Sequence, residues 1–213
     1  MRHLLEHLRG LRMNRPKLII MAGPPAAGKT TSAPLLARAL GVPLFGLDAV
    51  KESLADAIGP ESLDYADRLT DAAMSEVIAI AHELLSASKS VMIEGFIRHG
   101  ESEQKLAPLV EIADAVLIHL RADDLVLKDR YESRAMTPDR HWIHGDIDRI
   151  GTLLPELPPE LAAPLELGIS RIFIDTSQRP FSVDEVARLV NDVLAAPAPA
   201  DYAPVTTQAP AES

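Results

Sequence analysis

Cysteine is missing from all 213 residues, which excludes a disulfide framework, a thiolate metal site and a cysteine nucleophile, and fits a cytosolic setting. No apolar run approaches the roughly 18 residues that suggest a membrane span, so a soluble protein is expected. Basic residues are outnumbered, 21 Lys and Arg against 31 Asp and Glu, giving a formal charge of −10. Phosphate backbones are held by clustered Lys and Arg, so this balance argues against a nucleic-acid partner while leaving room for a local basic pocket. Internal repeats are absent, and no Asn-Lys-x-Asp string marks guanine selection. The opening Met1 to Arg15 lacks the long apolar core and small-residue cleavage site of a signal peptide. Its Leu4, Leu8 and Leu11 fit one face of a short helix, but an unstructured leader, or a start at Met13, fits as well.

With 47% hydrophobic residues, the chain can bury a sizeable core in one domain. Lys17 to Ala22 is a short apolar run ending at Gly23, as expected of a strand buried on both faces. Leu35, Leu36, Ala39 and Leu40 then recur at helical spacing up to Gly41. A second strand is predicted from Val42 to Leu47, although Pro43 and Gly46 weaken it. Leu69, Ala73, Val77, Ile80, Ala81 and Leu84 predict a long amphipathic helix with Asp67, Asp71, Glu76 and Glu83 on its wet side. Strands are predicted at Ser90–Ile93, Ala115–Leu120 and Arg171–Ile174, with a helix over Asp123–Ala135. Apolar, unalternating strands between helices imply an α/β fold with a five-stranded parallel sheet covered on both faces. Four prolines between Leu153 and Pro164 predict a loop or short turns, and the Ala- and Pro-rich tail over 195–213 reads as disordered.

Gly23-Pro24-Pro25-Ala26-Ala27-Gly28-Lys29-Thr30 satisfies G-x-x-x-x-G-K-[ST] between a predicted strand and a predicted helix, with Thr31 following. A helix N-terminus and inward-turned backbone N–H groups favour an anion there. Lys29 is expected between the β- and γ-phosphates of a nucleotide, ATP or GTP, and the Thr30 hydroxyl on Mg²⁺. A bare strand-to-helix turn would also use glycines; the Lys-Thr pair and its context favour the phosphate loop. Pro34, in the second turn of the helix, removes a hydrogen bond and can kink the axis.

Asp48 and Glu94 stand where strands are predicted to end, the side on which open parallel sheets bind ligands. They are the candidate carboxylates for proton acceptance and Mg²⁺; for Asp48 a helix N-cap is the alternative. Arg130 and Arg134, four apart, share one helical face, either to meet phosphates or to pair with Asp129 and Glu132. Arg98 and His99 face the acceptor or form a surface turn, and Asp64, Tyr65 and Arg68 carry the same two readings.

The segments GPPAAGKTT, FGLDAV, SVMIEG, DRYESR and FIDTS, spread from Lys17 to about Leu194, resemble those of the small P-loop kinases, which include chloramphenicol phosphotransferase, gluconate kinase, shikimate kinase and the zeta toxins. The resemblance implies a domain over 16–194, sheet order 2-3-1-4-5 and a lid at about 130–165. It implies that Asp48 activates the acceptor hydroxyl and that Glu94 is a Walker B-like acid. Of Arg130 and Arg134, one would stack on adenine and the other meet the phosphates, with Asp175, Thr176 and Ser177 passing beside the base. Arg140-His141-Trp142-Ile143-His144-Gly145 resembles an Arg-His-Pro-Gly-His segment of some relatives, with Trp142 and Ile143 in place of Pro and Gly. A mobile lid or acceptor-pocket segment suits it better than a metal site on His141 and His144. The leading expectation is an ATP- and Mg²⁺-dependent phosphotransferase with a small-molecule acceptor; a regulatory NTPase working through a protein partner and a toxin-like kinase are the alternatives.

Overall fold

The run Lys17–Ala22 (β1) is buried along almost its whole length because it lies between two neighbours, Val91–Glu94 (β3) and Asp114–Arg121 (β4). The computed structural model describes residues 15–150, 162–178, 181–196 and 205–207. Its sheet continues outward to Leu44–Gly46 (β2), beside β3, and to Ser170–Asp175 (β5), beside β4, with every pairing parallel. These five strands follow the order 2-3-1-4-5.

Between them run helices Lys29–Leu40 (α1), Leu47–Ile58 (α2), Ala66–Ser86 (α3), Glu103–Ile112 (α4), Asp124–Ala135 (α5) and Val183–Ala195 (α6). Successive side chains of a strand point to opposite faces, and β1 feeds two cores accordingly. Leu18, Ile20 and Ala22 pack with Val77 and Ala81 of α3 and Leu106 and Leu109 of α4. Ile19 and Met21 pack with Leu36 of α1, Leu127 of α5 and Val190 of α6. A strand buried on both faces shows no alternation in sequence, which is why KLIIMA is uniformly apolar.

Three details depart from the sequence reading. The second strand is only three residues long, and Leu47 already belongs to α2, capped by Gly46 rather than Asp48. Asp48 therefore stands in the first turn of a helix, one residue beyond the helix start. Leu35 of α1 is 51% exposed, because the inward stripe runs through Lys29, Ala33, Leu36 and Ala37. On α3, Met74 and Leu85 are buried where Ile80 and Leu84 were expected, both of which are only half-buried. Pro34 sits inside α1, which continues through it to Leu40.

Short 3-10 turns, Trp142–His144 and Ile147–Arg149, follow α5. The predicted leader lies almost wholly outside the described residues, as do 151–161 of the proline-rich stretch. Within the tail expected to be disordered, Val205–Thr207 (β6) run parallel to β5 as a sixth strand. Backbone pairing along the edge of β5 needs no large side chains, so the tail's composition gave no sign of it. Among the described residues, no helix is long and apolar enough to cross a membrane.

Candidate active site

Gly23 leaves β1 with φ 142°, and a Cβ at this position would stand 2.3 Å from the carbonyl oxygen of Leu120. Only glycine lets the chain turn here against the end of β4. Further on, Ala26 (φ 63°) and Gly28 (φ 93°) adopt left-handed backbone, and Gly28 caps α1. Alternation of backbone hand around a helix start is the shape that gathers N–H groups about an anion.

Lys29 opens α1 and is buried, with Nζ donating to the carbonyls of Gly23 at 2.9 Å and Pro24 at 2.8 Å. Burial pushes its ammonium down to about 8, against the pull of Glu94 and Asp48. Glu94 pairs in register with Met21 of β1 and Gly46 of β2, at the carboxyl edge of the sheet. It is only 4% exposed, and burial pushes it up to about 7 despite the attraction of Lys29. Gly46 makes room for it, since a Cβ there would meet Oε1 at 2.8 Å. Among the described residues Glu94 Oε2 is buried with no hydrogen-bond partner.

A cavity of about 730 Å³ opens over the loop. Pro25 through Thr31 line it together with Arg130, Arg134 and Thr176, and so do Asp48, Thr70, Phe96 and Arg98. Gly23, Pro24 and Glu94 do not line it. Thr176 ties the wall together. Its hydroxyl lies 3.1 Å from the carbonyl of Ala27 and 3.2 Å from that of Arg121. Arg130 donates to that hydroxyl through Nη1 at 3.1 Å and to the Thr176 carbonyl through Nη2 at 2.6 Å. Asp175, by contrast, stays out of the cavity. Its carboxylate accepts from the Ser177 N–H at 2.9 Å and hydroxyl at 2.6 Å, bonds that hold it below the usual carboxylate range. It also pairs with Arg121.

Sequence reasoning missed Asp146. This buried carboxylate on the cavity wall accepts from Arg134 Nη2 at 3.0 Å, Arg140 Nε at 2.7 Å and the Tyr131 hydroxyl at 3.0 Å. Burial opposes its charge, but the two arginines and the tyrosine outweigh that and hold it below the usual range. A lone Asp after Gly145 reads as a turn residue, so nothing local marks it. Phe96, Thr70 and Lys51, which also line the cavity, were missed because they come from three separate segments.

The histidine segment reaches α2. His144 Nε2 lies 2.7 Å from Glu52 Oε1, and His141 Nε2 lies 3.0 Å from Asp56 Oδ1. Asp48, Glu52 and Asp56 are four residues apart and share one stripe of the helix. Among the described residues no group of three His, Asp or Glu side chains is placed to hold a metal. Arg98 reaches the cavity; His99 turns away to the carbonyl of Pro164 at 3.0 Å and to Glu103. Tyr65 and Arg68 stack on each other outside it, and the neighbouring Asp67 lines it instead.

The AAA domain family model matches residues 19–151. No curated protein matches the chain. A candidate kinase from Chloroflexus aurantiacus is 26% identical in sequence and superposes with a TM-score of 0.73, over 84% of this chain and 98% of that one. An APS kinase from Mycobacterium tuberculosis, solved with AMPPNP and APS, is 18% identical with a TM-score of 0.54, over 85% of this chain and 99% of that one. A sugar kinase from a Janibacter species is likewise 18% identical, with a TM-score of 0.53, over 84% and 95%.

Proposed function

The chain belongs to the AAA domain family and carries the fold of the small P-loop kinases, and from that premise we propose that it is an ATP-dependent phosphotransferase acting on a hydroxyl of a small molecule. The observation that carries this reading is one cavity shared by the loop residues Lys29 and Thr30, the arginines 130 and 134, and the carboxylate of Asp48. Phosphoryl transfer needs cations at the phosphates and a proton acceptor at the hydroxyl, and this cavity holds both kinds of group. The space between Asp48, Thr70, Phe96 and Arg98 suits a small acceptor better than a protein partner.

In this reading Lys29 and Arg134 hold the charge of the transferring group. Asp48 takes the proton of the acceptor hydroxyl as its oxygen bonds to the γ-phosphorus, and the bond from that phosphorus to the β-phosphate oxygen breaks to leave ADP. Arg130, fixed to Thr176, flanks the base side of the nucleotide. Mg²⁺ fits the residues present: Thr30 faces the cavity, and the orphaned Oε2 of buried Glu94 is a carboxylate oxygen with no other use. Thr30 and Glu94 would hold it, with phosphate and water as the further oxygen ligands this ion prefers. When bound, it neutralises phosphate charge.

Calorimetric titration of ATP, GTP and ADP with Mg²⁺ tests the site. Tight ATP binding that Lys29→Ala abolishes is the expected result, and equal affinity in the variant would remove the phosphate-loop reading. A screen of hydroxyl acceptors then identifies the substrate. On that substrate Asp48→Asn is expected to lower turnover by about a hundredfold with nucleotide affinity unchanged; undiminished turnover would exclude Asp48 as the proton acceptor.

A further inference from the structure

Arg134 and Arg140 come from different segments, α5 and the turn after it, yet converge on a single oxygen, Asp146 Oδ2, at 3.0 and 2.7 Å. The other oxygen takes the Tyr131 hydroxyl, and the guanidinium of Arg134 lies over the Tyr131 ring, 5.2 Å from its centroid. Arg134 Nε is buried without an acceptor among the described residues. Its hydrogen bonding to protein on this wall therefore runs through Nη2 and Asp146. Two cations meet one anion, so the cluster keeps a net positive charge beside the cavity. Arginine side chains are long and lose considerable rotamer freedom when fixed. A carboxylate that fixes them before the ligand arrives removes that cost from the reaction.

We propose that Asp146 is a positioning residue for phosphoryl transfer, holding the guanidiniums of Arg134 and Arg140 as a preset pair on the cavity wall. The inference rests on the reading that this cavity takes a nucleotide, and it assigns Asp146 a role that acts through the two arginines it holds. Its effect belongs to the stage at which phosphoryl charge spreads outward, when preset donors matter most. Ground-state binding of ADP, gripped by the loop, should hardly notice the change.

The test compares the affinity of the full chain for Mg-ADP alone with that for Mg-ADP plus aluminium fluoride, which mimics the planar transferring group. In Asp146→Asn, ADP affinity should stay within about threefold of wild type while the gain from aluminium fluoride falls by about tenfold or more. A gain equal to wild type would overturn the proposal, and so would a loss of ADP affinity matching the loss of gain, which marks a merely structural role. If Asp146→Asn does not fold, Tyr131→Phe keeps every charge and removes one of the three bonds. It should reduce the gain about threefold, and an undiminished gain overturns the proposal. Failure of the wild type to bind Mg-ADP sinks the nucleotide reading and this one together; wild-type binding that needs Lys29, with an unaltered Asp146→Asn, sinks this one alone.

Discussion

Lys29 and Glu94 are opposite charges in a buried wall, and each is pushed toward neutrality. Glu94 titrates near 7 in the folded protein against an ordinary 4.5. The folded state therefore keeps a proton that the unfolded state releases, and Glu94 makes stability fall as pH rises from about 4.5 to 7. Lys29 works the other way: between about 8 and 10.5 the unfolded chain holds the proton and the folded one does not, so stability rises with pH there. His119, pushed down to about 4 by burial, opposes Glu94 below pH 6.5, because there the unfolded chain holds the imidazole proton and the folded one does not. Urea unfolding of the nucleotide-free Glu94→Gln variant should therefore show stability rising more steeply with pH between 4.5 and 7 than in the wild type; an equal slope would mean that Glu94 is not protonated in that window. Gly23→Ala is expected to cost about 3 kcal/mol or more, measured by the same unfolding, because the new Cβ meets a backbone oxygen that cannot move aside.

At the scale of elements, α2 links the cavity to the histidine segment. Its first turn presents Asp48 to the cavity, while Glu52 and Asp56, one and two turns on, lie against His144 and His141. The two contacts should not be equal. His144 and Glu52 are 7% and 34% exposed at the side chain, whereas Asp56 is 68% exposed. Double-mutant cycles to alanine should return about 1–2 kcal/mol of coupling for the first pair and under about 0.5 kcal/mol for the second. Equal values would mean that burial does not set their strength. How far this was legible differs by element. The phosphate loop, β1 and the strand order could be read because their signals are local or carried by a resemblance. The shortness of β2 could not, since VPLFGL is apolar throughout and only the competition of α2 for Leu47 ends the strand. Asp146 was invisible for a different reason. Its partners are six, twelve and fifteen residues away, and no periodicity connects a turn aspartate to two arginines and a tyrosine.

For the molecule as a whole, most of what the proposed reaction uses stands at the carboxyl edge of the parallel sheet: the loop after β1, Asp48 after β2, Glu94 at the end of β3 and Thr176 after β5, with Arg130 and Arg134 added from α5. The apolar interiors of the strands could be inferred residue by residue, but the convergence of their ends is a property of parallel order alone. One ligand bridging those ends should stabilise the entire fold. At about a hundredfold excess over Kd, Mg-ATP should add about 2.7 kcal/mol, raising the melting temperature by roughly 5–10 °C. Lys29→Ala should show no such rise, and a rise of equal size would place the nucleotide elsewhere.

The posture of Lys29 adds a consequence. An ammonium has three hydrogens, and two of them already serve the carbonyls of Gly23 and Pro24. One remains, so in the proposed function the same side chain would close the loop upon itself and serve a phosphate. Lys29→Arg keeps the charge but replaces a compact tripod with a flat fork, which cannot make both inward contacts and the outward one from the same point. Form and affinity in this loop hang from a single atom, and no change at Lys29 can loosen one without disturbing the other.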